Sequence, residues 1–389
     1  MNNLLLVLNA GSSSLKFSIF ENATIIEKHL RGSFKSISTC PQLSVVDADG
    51  IEIKREDFSG ALTHEQAAKK LISWLNAEVI KEARITSVAH RVVHGGERFI
   101  SKTRVDETII GHLESLIPLA PLHQPQAIAV IKEIRTLLPE AVQYAFFDTA
   151  FHSTQSEVAS TYALPKALRA KGIRRYGFHG ISYQYVMSEL RREYPSVAKG
   201  KVIIAHLGNG ASMCAVSEGK SVSTTMGFST LDGLVMGTRS GAIDPGVILY
   251  MLDSLSMTSA EVSNTLYAHS GLLGLSSVSE DMEVLLKDNS REAKFAIEVF
   301  TAQALRSLGS LIATNEGIDA LVFTGGIGEN SIEIRERICK SLTWLGIELD
   351  KTAEMNKSIL ISSQQSKVPV LVIKTDEELL MAKELLGDN

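Results

Sequence analysis

A turn near the start of the chain places a glycine, three hydroxyl groups and one positive charge close together. An apolar run at residues 5–8 leads into Gly11 and three serines at 12–14, and Lys16 stands in the alternating segment 15–20 that follows. Backbone N–H groups, hydroxyls and a cation at one point suit a phosphate group, because each can donate a short hydrogen bond to it. An ordinary polar hairpin is the alternative explanation of this turn taken alone.

Two later segments repeat the arrangement of an apolar strand followed by a turn of small residues. Residues 201–206 lead into 207–212, and residues 320–324 lead into 325–330. The chain has no G-x-x-x-x-G-K-[ST], so it is not a P-loop protein, and neither turn reaches the third glycine of a dinucleotide-binding G-x-G-x-x-G. We therefore predict that the three turns are walls of one nucleotide site. The residues concerned are Ser12, Lys16, His206, Leu207, Gly208, Asn209, Gly210, Gly326, Ile327, Gly328, Glu329 and Asn330.

The segment 89–96 contains two histidines and one arginine. In a strand, His90 and His94 would stand about 13 Å apart, and one metal ion with bonds of about 2 Å cannot reach both. Strand alternation instead puts Arg91 and Val93 on the same face. A guanidinium beside a branched apolar side chain suits a small carboxylate with a short apolar tail, whereas a surface ion pair is the alternative for Arg91.

Asp148 follows the aromatic pair at residues 146–147, at the end of a predicted strand. A carboxylate buried there needs a partner, and Arg91 and Arg239 are the candidates; a local cap of a turn or helix is the alternative. His179 stands between Phe178 and Gly180 at the start of a predicted helix, where a histidine more often caps or packs than catalyses.

Composition limits the classes of protein to consider. The chain has 389 residues, 44% hydrophobic and 21% charged, with a formal net charge of -5, so nonspecific nucleic-acid binding is not favoured. Its three scattered cysteines predict neither a disulfide framework nor a metal site; Cys214 and Cys339, set among apolar residues, are predicted to be buried thiols. No window approaches a membrane span, and we predict a cytoplasmic enzyme without a membrane partner.

Strand-like and helix-like segments alternate, which favours an α/β fold. Thr63 and Thr258 are predicted to begin helices. Residues 291–313 are predicted to form one long core helix, with an apolar stripe through Phe295, Val299, Ala302, Leu305, Leu308 and Ile312. The segment 375–378 fits a capping box in which Glu378 reaches back to Thr375, which would leave Glu377 for another role. Glycine turns near the starts of both halves predict a duplicated domain with the nucleotide in the cleft between the copies.

Taken in order, the chain's motifs resemble the acetate/propionate kinase family of the actin-like ATPase superfamily. The similarity runs from Asn9 to Glu377, and the whole set at this spacing is very specific. The segments that carry it are NAGSSSLK at 9–16, HRVVHGG at 90–96, FDTAFH at 147–152, YGFHG at 176–180, HLGNG at 206–210, MGTRSG at 236–241, GGIGEN at 325–330 and TDEE at 375–378.

The resemblance implies a fold, an activity and an assembly. The fold would be two duplicated actin-like, ribonuclease H-like domains with mixed sheets flanked by helices, one formed by 1–148 with 375–389 and the other, nucleotide-binding, by 149–374. The activity would be reversible, magnesium-dependent phosphoryl transfer between ATP and acetate, giving ADP and acetyl phosphate. Propionate as the acceptor is the alternative, and a non-catalytic actin-like nucleotide-binding protein is a remote one. A homodimer is also implied.

The resemblance also assigns roles to residues. Catalysis would use Arg91, Asp148, His179 and Arg239, with Asp148 orienting arginines, because acetate is already ionised at neutral pH. Three further sets follow: Val93, Leu122 and Phe178, with Arg91, for the substrate; Asp281, Met282 and Glu283 for the nucleotide; and Asn9 and Glu377 for Mg²⁺, which Mn²⁺ could replace.

Two positions depart from the family pattern. Glu283 stands where arginine is common, which puts the contact on the adenosine side in doubt. Thr230 stands where many members have proline, which puts the preferred acyl chain length in doubt.

Overall fold

The computed structural model describes residues 2–21, 26, 28–80 and 83–387. The chain divides into two compact units, one formed by Met1–Ala150 with Asp376–Asn389 and the other by Phe151–Thr375. The strands are β1 (Asn2–Ala10), β2 (Leu15–Glu21), β3 (Lys28–Lys35), β4 (Gln42–Asp47), β5 (Glu52–Asp57), β6 (Ala83–Val92), β7 (Thr103–Arg104), β8 (Val142–Phe147), β9 (Lys201–His206), β10 (Ser212–Ser217), β11 (Lys220–Thr224), β12 (Ala320–Thr324) and β13 (Val370–Val372).

Helices follow or separate these strands in both units. They are α1 (His64–Trp74), α2 (Glu107–Ser115), α3 (Gln124–Leu137), α4 (Glu157–Ser160), α5 (Lys166–Arg169), α6 (Gly180–Glu193), α7 (Pro195–Ala198), α8 (Pro245–Asp253), α9 (Ser259–Ala268), α10 (Gly271–Ser276), α11 (Met282–Lys287), α12 (Arg291–Thr314), α13 (Gly325–Asn330), α14 (Ile332–Lys340), α15 (Lys351–Met355) and α16 (Glu377–Leu386). In the part of the chain that the structure describes, none of them is both long and apolar enough to cross a membrane.

The two sheets share one five-stranded arrangement. The first sheet has the order β5-β4-β3-β2-β1-β6-β8-β7, and the second has the order β11-β10-β9-β12-β13. In each, three antiparallel strands (β3-β2-β1 and β11-β10-β9) are followed by two parallel ones (β6-β8 and β12-β13). The predicted duplicated α/β architecture with mixed sheets is therefore confirmed.

In the first unit, the central strand β1 is buried on both faces. Leu4 to Leu8 are at most 5% exposed, which explains why the strand is a continuous apolar run rather than an alternating one. Helices α1 and α3 pack together against this sheet, and α16 returns from the far end of the chain to pack against β1 and β2. This return places Glu377, the first residue of α16, in the same unit as β1.

In the second unit, helices α6 and α12 cover the sheet. The predicted long helix at 291–313 is confirmed as α12. Its predicted apolar stripe is only partly right, because Leu308 and Ile312 are buried but Phe295 is not. Phe295 is 53% exposed, whereas Ala293, Ala296 and Phe300 are at most 1% exposed and face the core. Apolar residues occur around much of this helix, and small alanines rather than the large Phe295 make the close contact in its first turns, so apolar spacing alone did not identify the buried face there.

Helix starts were predicted with mixed success. The capping boxes of Thr63 with Gln66 and of Thr258 with Glu261 are both present. The predicted box at Thr375 is wrong, because Asp376 is the N-cap of α16 and its side chain accepts from the N–H of Leu379 at 2.9 Å. The segment 325–330, predicted as a turn, is the short helix α13. Cys214 and Cys339 are buried as predicted.

Candidate active site

The ends of two neighbouring parallel strands bring Arg91 and Asp148 together. Arg91 lies on β6, and Asp148 follows β8, which pairs with β6 in parallel register. Arg91 Nε donates to Asp148 Oδ1 at 2.9 Å and Nη2 donates to Oδ2 at 2.5 Å. Asp148 is 1% exposed. The carboxylate of Asp148, which was predicted to need a cation, is thus held by a bidentate pair of hydrogen bonds from the Arg91 guanidinium. This arrangement fixes the planes of both groups.

Two further oxygen-bearing side chains surround the same guanidinium. Asn9 lies opposite Arg91 in the β1–β6 pairing, and its Oδ1 accepts from Arg91 Nη1 at 3.0 Å. Glu377 Oε2 lies 3.7 Å from Arg91 Nε. Burial lowers the pKa of Arg91, but the attraction of Asp148 and Glu377 outweighs burial and raises it overall. The group is therefore always charged, and its five N–H groups leave one on Nη1 and one on Nη2 beyond these bonds.

Val93 is the first residue after β6 and is 5% exposed. Leu122 belongs to the same unit but is 44% exposed, whereas Phe178 is 1% exposed and belongs to the other unit. Behind Val93 the backbone is tightly packed, since a Cβ on Gly95 would lie 2.5 Å from the carbonyl oxygen of Phe99. Arg91 and Val93 therefore project from a rigid strand end.

The two histidines beside Arg91 have local partners. His90 Nε2 lies 2.7 Å from Gln143 Oε1, and His94 Nδ1 accepts from the N–H of Gly96 at 2.9 Å. Burial lowers the pKa of each to about 4, the bond to Gln143 opposing it in His90. Both rings are neutral at neutral pH and support the strand end.

The turn between β1 and β2 has the hairpin form expected from the sequence. Asn9 pairs with Lys16 across it, and Gly11 N–H donates to the Ser14 carbonyl at 2.8 Å. The side chains of Ser12 and Lys16 are exposed. A hydroxyl and an ammonium group therefore lie at the surface of the first unit near Asn9.

In the second unit, His179 occupies a constrained position before α6. Its φ of 58° is left-handed, and its Nδ1 lies 2.8 Å from Ser212 Oγ at the start of β10. The His179 ring stacks on that of His206 with centroids 4.3 Å apart. Nδ1 of His206 in turn lies 2.8 Å from Ser182 Oγ. The ends of β9, β10 and α6 thus fix the orientation of both rings.

Arg239 approaches His179 at a glycine. Its Nη1 donates to the carbonyl of Thr230 at 2.7 Å, which anchors one edge of the guanidinium. A Cβ on Gly210 would lie 3.2 Å from Arg239 Nη2 and 3.4 Å from His179 Nε2. The missing side chain at Gly210 lets the arginine and the histidine converge on the backbone of the turn after β9.

A cavity of about 1250 Å³ opens beside these residues in the second unit. Several residues predicted for the nucleotide line it, namely Gly208, Asn209, Asp281, Met282, Glu283, Gly326, Ile327, Glu329 and Asn330. Met282 is only 3% exposed, and the Glu283 side chain, 76% exposed, forms an ion pair with Lys287 at 2.5 Å. Leu207 contributes its backbone carbonyl, which accepts from the N–H groups of Ile327 and Gly328.

The groups that hold α13 in place were not predicted in that role. Glu329 Oε1 accepts from the N–H of Gly325 at 2.9 Å and from that of Thr375 at 3.0 Å. Arg335 Nη1 donates to the carbonyl of Gly328 at 2.8 Å, and the rest of its guanidinium is paired with Glu354; both side chains are at most 4% exposed. Glu329, predicted to contact nucleotide, thus fixes backbone through its carboxylate.

Comparison with known proteins is consistent with this architecture. The model of the acetokinase family matches residues 4–383. Proteins named acetate kinase are similar to the chain: that of Rhodopseudomonas palustris is 46% identical over 99% of this chain and 98% of its own length, and that of Methylocella silvestris is 43% identical over 100% and 98%.

Solved structures extend the similarity to the fold. A propionate kinase from Francisella tularensis is 37% identical with a TM-score of 0.91, and the acetate kinase of Porphyromonas gingivalis is 34% identical with a TM-score of 0.87. Each comparison covers 98% of both chains. The chain belongs to the acetokinase family. The resemblance that its motifs predicted is confirmed.

Proposed function

We propose that the chain catalyses reversible phosphoryl transfer between ATP and acetate, giving ADP and acetyl phosphate. The observation that carries the proposal is the arrangement at Arg91. A guanidinium fixed by Asp148 keeps two N–H groups for an anion, and the buried apolar side chain of Val93 follows on the same strand end. Family membership over residues 4–383 supports the same activity.

In this proposal, Arg91 binds the carboxylate of acetate or the acyl phosphate. Asp148 is the residue that orients it, because both carboxylate oxygens are already engaged by the guanidinium. A general base is not required, since acetic acid loses its proton well below neutral pH. The nucleophile is thus the bound acetate itself.

His179 and Arg239 are proposed to stabilise the charge of the transferring phosphoryl group. Such transfers depend mainly on positioning and on charge stabilisation at the equatorial oxygens. The convergence of the two side chains at Gly210 supports this role, because the glycine lets a phosphate approach the backbone closely. The cavity lined by Gly208, Asn209 and Asp281 is proposed to bind the rest of the nucleotide.

Mg²⁺ is proposed to be held by Asn9 and Glu377, with Mn²⁺ able to replace it. The donor set fits, because Mg²⁺ prefers oxygen ligands and keeps several of its waters, so that few protein groups are needed. The Glu377 carboxylate is 16% exposed, and its ion pair with Arg91 at 3.7 Å is too long to be a hydrogen bond. When bound, the ion would neutralise phosphate charge.

A homodimer and a cytoplasmic location are further parts of the proposal. Helix α8 has no buried residue, and apolar side chains are exposed along it and at both its ends. They are Ile243, Val247, Leu249, Tyr250 and Leu255, each at least 36% exposed. A second copy that covers these residues would remove the apolar surface from water. Light scattering should give a dimer for the wild type and a monomer for Leu249→Glu with Tyr250→Glu.

Propionate is the second candidate acceptor, because the Francisella tularensis protein of high structural similarity is a propionate kinase. Acetate is favoured, since the relatives at 43% and 46% identity are acetate kinases. The test is kcat/KM for acetate, propionate and butyrate at a fixed ATP concentration. One extra methylene in a small pocket costs about 10–200-fold in kcat/KM, so activity should fall in that order. If kcat/KM were higher for propionate than for acetate, propionate would be the preferred substrate instead.

The variant Val93→Ala tests whether Val93 determines the preference between acetate and propionate. It removes apolar volume beside Arg91 and should move the ratio of kcat/KM values toward propionate. Val88→Ala, a buried valine earlier on the same strand, is the matched control and should leave the ratio unchanged. An equal effect of both variants would exclude Val93 from the acyl pocket.

A further inference from the structure

We propose that His152 is a positioning residue that holds the carbonyl of Phe178 and thereby sets the backbone conformation of His179. The inference concerns a residue that touches neither substrate nor nucleotide in the scheme above. It rests on the proposed function only through the catalytic role given there to His179. Its geometric part, the dependence of the His179 conformation on His152, can be tested separately.

Both ring nitrogens of His152 are engaged in a buried network. Nε2 lies 2.9 Å from the Phe178 carbonyl oxygen and Nδ1 lies 2.8 Å from Ser221 Oγ, in a side chain 3% exposed. A carbonyl can only accept, so Nε2 carries the proton. Burial lowers the pKa of His152 to about 4 although the carbonyl opposes this shift. The ring is therefore neutral, and Nδ1 accepts the hydroxyl proton of Ser221.

The network continues away from the ring. Gln155 Nε2 donates to Ser221 Oγ at 3.1 Å, and Thr154 Oγ1 donates to the Ser221 carbonyl at 2.9 Å. Because Ser221 is itself held on β11, the imidazole cannot turn without breaking several buried hydrogen bonds. His152 therefore presents a fixed N–H donor to Phe178.

The backbone that receives this donor is strained. Gly177 has a φ of 75° and His179 a φ of 58°, so two left-handed residues flank Phe178. For a residue with a side chain, this region costs about 1–2 kcal/mol, and such conformations persist only where the surroundings enforce them. A Cβ on Gly177 would lie 2.6 Å from His152 Cδ2, so the imidazole also packs directly against this backbone.

The conformation held in this way determines where the His179 imidazole lies. From its left-handed position, the side chain places Nδ1 2.8 Å from Ser212 Oγ and stacks its ring on His206. If the Phe178 carbonyl were released, His179 could relax toward an ordinary backbone conformation and lose both contacts. A displacement of about 1 Å at a reacting group can cost on the order of a hundredfold in rate.

Two substitutions of His152 distinguish the effect of its hydrogen bond to Phe178 from the effect of its packing. In His152→Gln, the amide nitrogen can take the place of Nε2 and still donate to Phe178. In His152→Asn, the shorter amide reaches only the position of Nδ1. We expect His152→Asn to lower kcat at least about tenfold with little change in KM for ATP or acetate, and His152→Gln to keep kcat within about threefold of wild type.

The conformational readout is independent of activity. In protein labelled with ¹³C in its histidines, the ring resonance missing from His179→Ala identifies His179. That resonance should move in His152→Asn and stay near its wild-type position in His152→Gln. An unmoved resonance in His152→Asn, or equal shifts and equal kcat losses in both variants, would overturn the proposal, because His152 would then act only as packing.

Two controls complete the experiment. Ser221→Ala removes the hydroxyl that donates to Nδ1 without changing the donor at Nε2, so it should move the resonance in the same direction with a smaller loss of kcat. This variant replaces His152→Asn in the test if His152→Asn does not fold. Full activity of His179→Ala would contradict the proposed catalytic role of His179. A resonance that still moves in His152→Asn would, even then, support the positioning by His152.

Discussion

Asp148 accepts two hydrogen bonds from Arg91, at 2.9 Å and 2.5 Å, and its side chain is only 2% exposed. A buried carboxylate is costly unless it is paired, so the pair cannot be separated without leaving a charge in a poor environment. The consequence is an arginine whose orientation is set before any substrate arrives. Pre-organised charge of this kind is effective in catalysis because nothing has to rearrange when the transition state forms.

The first prediction concerns the two arginines. Arg91→Ala and Arg239→Ala should each lower kcat at least about a hundredfold, because each removes charge stabilisation of the transition state. Arg84→Ala is the matched control, since Arg84 lies on the same strand as Arg91 but is 56% exposed and pairs with Glu140 at 3.8 Å. Steady-state kinetics check the prediction, and near-normal turnover of either test variant would contradict its assigned role.

The second prediction distinguishes two adjacent glutamates at the start of α16. Glu377→Gln should raise the Mg²⁺ concentration that gives half-maximal activity, because the carboxylate proposed to hold the ion loses its charge. Glu378 instead accepts from Ser18 Oγ at 3.0 Å and pairs with Lys28 at 3.5 Å. Glu378→Gln should therefore lower the melting temperature slightly with little effect on the Mg²⁺ titration. Exchanged phenotypes would assign the metal to Glu378.

The third prediction concerns Glu283 at the wall of the cavity. Its exposed carboxylate is paired with Lys287, and replacing it with a cation should favour a polyanionic ligand. We expect Glu283→Arg to lower KM for ATP by about twofold to fivefold, and less at high salt, since exposed charges are screened. Glu298→Arg makes the same charge change at an exposed position of α12. If Glu283→Arg left KM for ATP unchanged, or if both variants lowered it equally, Glu283 would not face the nucleotide.

The fourth prediction concerns acid stability. The pKa of His90 is lowered from 6.5 to about 4 by burial, against the opposing bond to Gln143. Between these two pKa values the unfolded chain binds a proton at His90 that the folded protein does not bind. The contribution of His90 to the free energy of unfolding is therefore complete above pH 6.5 and is lost as the pH falls toward 4. His90→Gln removes it. Urea unfolding should therefore show a shallower fall between pH 6.5 and 5 in the variant than in wild type; parallel curves would contradict the assignment.

Local signals in the sequence predicted local structure well. Thr63 and Thr258 cap helices as expected, and the apolar run at 5–8 forms part of the expected strand, β1. The segment at 375–378 was misread because Thr375 and Asp376 are both good N-caps, and the choice between them depended on partners elsewhere. Thr375 Oγ1 accepts a hydrogen bond from Ser182 Oγ, whereas Glu378 accepts one from Ser18 Oγ and forms an ion pair with Lys28.

Most contacts between segments far apart in the chain could not be predicted from the sequence. The buried pair of Arg335 and Glu354 joins two helices and supports the carbonyl of Gly328, but neither residue has a local pattern that distinguishes it from a surface charge. The same holds for His152, whose partners Ser221 and Phe178 lie 69 and 26 residues away. By contrast, Arg91 was already predicted as a candidate partner of Asp148, because a buried carboxylate demands a cation.

Formation of acetyl phosphate from acetate and ATP by the purified protein tests the proposed reaction itself. Hydroxylamine traps acetyl phosphate as a hydroxamate, and the trapped product is measured together with ADP. We expect one hydroxamate for each ADP formed, a requirement for both acetate and Mg²⁺, and loss of the product in Arg91→Ala. ADP release that is independent of acetate, with no hydroxamate, would contradict the assigned reaction.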